Sequence, residues 1–182
     1  MQTFMKKTTL WALLLSVLAA GAAFTTGKSE ESNCSTSKTN IMESNVKATV
    51  QQFYTALSTQ PNDQTAAQTA SWMAADWKSL PTPPGGAGLE GFVKTLFMFH
   101  GMIPDLKWEV QEMLVSGNRV TVRSKATGTP NSPEGYFFGV PTDGSKSFEI
   151  QTIDIHTVEK GKLVSAFHCE DWATAIQQVS GH

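Results

Sequence analysis

The sequence predicts an α+β domain, helices first and a strongly curved antiparallel sheet after them, on three observations. Apolar residues recur at helical spacing through the first half. Beyond Asp105 they alternate, with β-branched residues at Val110, Val120 and Val122. Proline and glycine clusters at Pro81–Gly86 and between Pro130 and Gly144 punctuate the chain.

Residues 1–23 read as a secretory signal peptide, with Lys6 and Lys7 before an apolar run from Leu10 to Ala20 and small residues at Gly21, Ala22 and Ala23. The run is too short to span a bilayer comfortably. Cleavage near Ala22 or Ala23 gives a periplasmic or secreted protein with no stable membrane anchor, whereas a retained segment tethers it. Residues 24–41 are rich in Ser, Thr, Lys and Glu and read as a flexible linker, because they cannot bury enough surface to offset their ordering entropy. Residues 42–182 remain as one domain.

In that domain Val46, Val50, Phe53, Tyr54 and Leu57 define a first amphipathic helix, with Asn40 and Glu43 resembling a capping box upstream. The alanine-rich TASWMAADW segment predicts a shorter helix with Trp72, Met73 and Trp77 on its inner side. Phe92, Val93, Leu96, Phe97 and Phe99 build a third, ended by Gly101 and Pro104. Strands follow at LKWEVQEMLVS and NRVTVRSKATGT, then at Phe148–Val158 and Leu163–Glu170, with a closing helix from Trp172 to Val179.

The last two strands hold the densest set of titratable groups. Reading Glu159-Lys160-Gly161 as a three-residue loop sets Val158 against Lys162 and Asp154 against Ala166. Alternation then gathers Thr152, Asp154, His156, His168 and Glu170 on one face and Ile153, Ile155, Leu163, Phe167 and Cys169 on the other. A two-residue loop at Lys160-Gly161 instead shifts the pairing by one and brings Phe167 and Cys169 beside Asp154.

A formal charge of −2 with scattered Lys and Arg offers no basic stripe, which argues against a nucleic-acid partner. His100, His156, His168 and His182 lie on different elements, and no Cys or His spacing suggests a metal site. Cys34 and Cys169 are available to pair in an oxidising compartment, but Cys34 falls in the tail, which favours an unpaired, buried Cys169.

The blocks QQFYTAL, ADWKSLPTPPGG, GFVKTL, IPDLKWEVQEMLVSGNRVTVRSKATGT and GVPTDGSKSFEIQTIDIHTVEKGKLVSAFHCEDW together resemble the SnoaL-like polyketide cyclases of the nuclear-transport-factor-2-like superfamily. The resemblance runs from about Val46 to the end. It implies a cone, a bent antiparallel sheet wrapped around the N-terminal helices with an apolar internal cavity, paired into homodimers through the sheet. It also implies ring closure by intramolecular aldol addition, without metal or cofactor, with Asp154 in the position of the family's acid/base. The sequence departs from the family pattern at Pro130, at Phe167 and in the inserted Pro130–Glu134 segment.

Asp154, between two isoleucines in a central strand, is the first catalytic candidate, since a buried carboxylate is costly; the plainer alternative is a structural hydrogen bond. His168 either orients Asp154 and polarises a ligand or is a satisfied half-buried histidine. His156, nearer the turn, is a weaker candidate of the same kind. Glu170 points toward the cavity, while Asp171 caps the last helix. Tyr54, Trp72, Trp77, Phe97 and Phe138 supply a stacking wall for a planar ligand, against the plainer reading that they are core. Arg123 either meets solvent or pairs with an acidic neighbour, and His100 bonds free carbonyls at a helix end. The expected ligand is a small, apolar, carbonyl-bearing compound. Either it is turned over by acid/base chemistry, or a periplasmic domain holds it unchanged.

Overall fold

The computed structural model describes residues 30–180, with side chains from Lys38 onward. The signal-peptide reading of residues 1–23, His182 and the side chain of Cys34 lie outside the described residues.

Helix α1 runs from Glu30 to Leu57 and buries Val46, Val50, Phe53, Tyr54 and Leu57. It starts well before Asn40, so the expected capping box sits within the helix, and the segment read as linker is helical from residue 30 onward. Extending an anchored helix fixes one residue per hydrogen bond and needs no new nucleus, so a polar stretch can continue it. Helix α2 (Thr65–Trp72) ends sooner than predicted, and Met73–Leu80 forms strand β1. Alanine favours helix only weakly. Here the backbone instead pairs in parallel with the last strand, Ser79 opposite Ala166, while Met73 and Trp77 are buried.

Helix α3 (Gly88–Met102) buries Phe92, Leu96 and Phe99 but leaves Phe97 48% exposed. Its first turn is fused to the loop before it: Gly85 N–H bonds Thr95 Oγ1 at 3.0 Å, and Thr95 Oγ1 donates to Gly91 O at 2.9 Å. A methyl at Gly91 would collide with the Gly86 carbonyl, backbone that cannot swing aside. Gly91→Ala is therefore expected to destabilise the protein by about 1–3 kcal/mol in urea unfolding and to displace the Pro81–Pro84 loop.

The sheet has the order β1-β7-β6-β3-β2 and is curled but not closed. Strands β2 (Lys107–Ser116), β3 (Arg119–Gly128), β6 (Phe148–Glu159) and β7 (Lys162–Glu170) are antiparallel neighbours, and only β1 joins in parallel. Two short strands, β4 (Tyr136–Phe137) and β5 (Val140–Pro141), make a hairpin in the glycine- and proline-rich segment between Pro130 and Gly144. Helix α4 (Trp172–Ser180) closes the chain, and Trp172 packs against Phe99, Trp108, Phe137, Phe138 and Phe148.

The final hairpin turns differently from the three-residue reading. Glu159 pairs with Lys162, so the loop is Lys160-Gly161, with φ of 51° and 76°, the positive pair that a type I′ turn requires. That alone would reverse the faces. Val164 is then an extra residue, since Val158 faces Leu163 and Thr157 faces Ser165, and this bulge restores the parity. Asp154 consequently lies opposite His168 rather than Ala166, and Thr152 opposite Glu170. Thr152, Asp154, His156, His168 and Glu170 share the inner face as predicted. Leu163, placed before the bulge, also turns inward and is fully buried, contrary to the alternation expected for it. Among the described residues Cys169 has no disulfide partner, and it is exposed rather than buried, on the outer face with Ile153 and Phe167.

Candidate active site

Helix α1 drives Phe53 and Tyr54 against the inner face of β6 and β7, because both fall on its buried stripe. Strand β6 presents Asp154 and His156 there, 1% and 0% exposed. The Tyr54 hydroxyl donates to Asp154 Oδ2 at 2.7 Å and lies 2.8 Å from His156 Nε2. A phenol has one proton, and here it is committed to the carboxylate. His156 must therefore carry its proton on Nε2 and donate it to the phenol oxygen, which leaves its Nδ1 without a partner among the described residues. Burial pushes the His156 imidazole down to about 4, against the opposing pull of Asp154, so it is neutral at pH 7. Burial first, then the charge and hydrogen bond of Asp154, hold the Tyr54 phenol far above its usual range, and it remains a donor.

The other carboxylate oxygen, Asp154 Oδ1, accepts from His168 Nδ1 at 2.9 Å. This fixes the His168 tautomer with its lone pair on Nε2. The ring plane is fixed as well. Phe53 stacks on His168 with centroids 5.7 Å apart and planes at 16°, and Trp77 meets it edge-on at 6.1 Å. Asp154 thus has a donor on each oxygen.

A hollow of about 260 Å³ lies in front of His168, between helices α1 and α3, strand β1 and the Pro81–Pro84 loop. Phe53, Trp77, Phe92, Phe99, Phe138 and Trp172 make its apolar wall, and His168 and Glu170 are its ionisable groups. Asp154 is behind His168 and does not line the hollow. Glu170 accepts the indole N–H of Trp172 at 2.8 Å, and burial raises its carboxyl above the ordinary range, against the lowering pull of His168 and Trp172.

Of the predicted wall, Trp77 and Phe138 do line the hollow. Trp72 is core against Phe92, Phe97 lies on the outer side of α3, and Tyr54 and His156 sit in the layer behind Asp154. These four do not line the hollow. Phe53, Phe92, Phe99 and Trp172 were not singled out as wall residues, because helical spacing shows burial but not which buried rings border a void. Asp171 caps α4 through Thr174 N–H at 3.1 Å, and Arg123 pairs with Glu112 at 3.6 Å. His100 bonds the Leu57 carbonyl at 3.1 Å, closing the end of α1 rather than its own helix.

Asp154, His168 and Glu170 each offer a ligand atom, all within 4.8 Å of one another, a donor set a divalent metal can use. As built, however, His168 and Asp154 are hydrogen-bonded to each other and Glu170 accepts the Trp172 N–H, so a metal would compete with these bonds. A larger groove of about 640 Å³ lies between α1 and the Lys160-Gly161 turn, but it is more open, and its ionisable residues Lys38, Glu159 and Lys160 are exposed.

The sequence matches the family model of the SnoaL-like polyketide cyclases over residues 48–179. No match was found among curated proteins. Among solved structures, a Bacillus cereus protein assigned to the polyketide cyclases is 27% identical, with a TM-score of 0.59 over 74% of this chain and 80% of its own. TsrD from Streptomyces laurentii is 21% identical, with a TM-score of 0.60 over 74% and 97%. A SnoaL-like polyketide cyclase from Agrobacterium tumefaciens is 17% identical, with a TM-score of 0.58 over 73% and 96%. With the family model spanning the whole folded part beyond the first turns of α1, and the same fold in these structures, the chain belongs to the SnoaL-like polyketide cyclase family.

Proposed function

We propose that this protein is an exported enzyme that moves protons on a small, apolar, carbonyl-bearing compound without a cofactor, as in an intramolecular aldol cyclisation. The observation that carries this reading is His168, which lines an aromatic hollow while its Nδ1 is committed to the buried Asp154 carboxylate behind it. In this arrangement His168 takes the proton next to the carbonyl. Asp154 acts behind it, holding the tautomer and stabilising the imidazolium that forms. The apolar wall keeps competing water out, and the delocalised enolate needs one well-aimed base. Export rests on the Lys6-Lys7 and Leu10–Ala20 pattern. Pairing into dimers is supported by Ile153 and Phe167, each about half exposed on the outer sheet face.

The test uses 1-tetralone, a bicyclic aromatic ketone, as a probe. In D2O its α-protons should exchange faster with the native protein than with buffer or heat-denatured protein, followed by proton NMR. If the ketone binds by saturation transfer but exchanges only at the buffer rate, the site holds such ligands without turning them over.

A further inference from the structure

Resting on the reading above, we infer that Glu170 is the general acid of this site, donating its proton to the carbonyl oxygen that becomes negative while His168 acts as the base. Three geometric observations carry this. Glu170 and His168 are the two ionisable side chains that line the hollow, so both can touch one ligand. A carboxylate oxygen of Glu170 lies within 4.8 Å of a ring nitrogen of His168 and of an Asp154 oxygen, close enough for one bridging water or one reacting group to join them. The Trp172 indole N–H holds Glu170 Oε2 as an acceptor, which leaves a proton on the other oxygen as the group's own donor.

The two carboxyl groups on this face are thereby given different work. Asp154 has two donors, Tyr54 and His168, an environment that suits an anion. Glu170 has one donor, and its burial favours the neutral acid. Sites that run acid and base chemistry together divide their titratable groups in this way.

The cycle balances. His168 Nε2 takes the α-proton, the C–H pair becomes the enolate, and the enolate carbon bonds to the second carbonyl carbon. That carbonyl's π pair moves to oxygen, which takes the proton from Glu170. His168 now bears a proton and Glu170 a charge. Transfer from one to the other restores both, with no net acid or base consumed. The charges also assist each other, since a positive His168 lowers the hold of Glu170 on its proton at the step where that proton is needed.

The test has an arm that needs no ligand. With glutamate labelled at Cδ, the carbon-13 signal that disappears in Glu170→Gln should titrate above the ordinary carboxylate range. The second arm is exchange of 1-tetralone, whose single carbonyl oxygen becomes negative as His168 takes the α-proton and so receives the Glu170 proton in place of the second carbonyl of the aldol. The wild-type rate should fall on the alkaline side as Glu170 ionises. Glu170→Gln, whose side-chain carbonyl still accepts the Trp172 N–H, should be about 10²-fold slower and lack that alkaline limb. A Glu170 signal that titrates in the ordinary range, or a Gln variant with the wild-type rate and profile, overturns the assignment and leaves His168 as base intact. A wild-type protein with no exchange above buffer overturns the underlying reading and the assignment with it.

Discussion

His168→Gln is expected to lower 1-tetralone exchange by about 10²- to 10⁴-fold, the usual contribution of a positioned general base. Glutamine fills the space and can still donate to Asp154, but it offers no basic nitrogen. Asp154→Asn is expected to lose a comparable factor by a different route. Asp154 accepts from His168 Nδ1 and so leaves the lone pair on Nε2. An asparagine can present its own N–H to Nδ1, which reverses the tautomer and removes the charge that stabilises the imidazolium. Since Asp154 does not line the hollow, its replacement should leave KM near the wild-type value and lower kcat. The double variant should be no slower than His168→Gln, because the two residues act as one unit. The opposite pattern, in which Asp154→Asn is inactive while His168→Gln keeps most of the rate, would identify the carboxylate itself as the base.

That contrast shows what the sequence can and cannot convey. Alternation places Asp154 and His168 on one face, and it survives two compensating departures, the two-residue turn at Lys160-Gly161 and the extra Val164. Face membership has a period of two and is legible. Depth has no period. Which of two inward side chains borders the void depends on where α1, α3 and the Pro81–Pro84 loop come to rest, and those contacts are long-range. The same limit separates Trp77, on the wall, from Trp72, in the core, although both were read as lining residues. Strand β1 was hidden for a related reason. Ala74, Ala75 and their neighbours favour helix locally, and the pairing that overrides this comes from β7, nearly ninety residues later. Helix α1 and strands β2, β3 and β6 were legible because each carries its own apolar stripe.

Stability should fall steeply as pH drops from 6.5 to 4, and His156 is the main cause. Its folded-state value is about 4 against an ordinary 6.5, so between these the unfolded chain binds a proton that the folded one refuses. The stabilisation is fully present above the unfolded value and is lost as pH falls toward the folded one. The whole window is worth about 3 kcal/mol, a large part of a small domain's stability. His100 contributes in the same direction, because its burial also lowers it. Glu170 contributes in the opposite one: its folded value is raised, so the folded state gains as pH falls through that value. A variant comparison removes both. His156→Gln can still donate an N–H to the Tyr54 oxygen and has nothing to titrate, so its urea midpoint should decline less between pH 6.5 and 4 than that of the wild type. Parallel declines would mean that His156 accepts a proton in the folded state, and the Tyr54-centred network would then need a charged imidazolium at its inner end. The same network runs on to the site. His156 Nε2–H donates to the Tyr54 oxygen, the Tyr54 proton lies on Asp154, and Asp154 accepts from His168. Because folded His156 refuses a second proton across the window, the network around Asp154 is unchanged in the molecules that stay folded, and the stability loss comes from proton uptake by the unfolded chain.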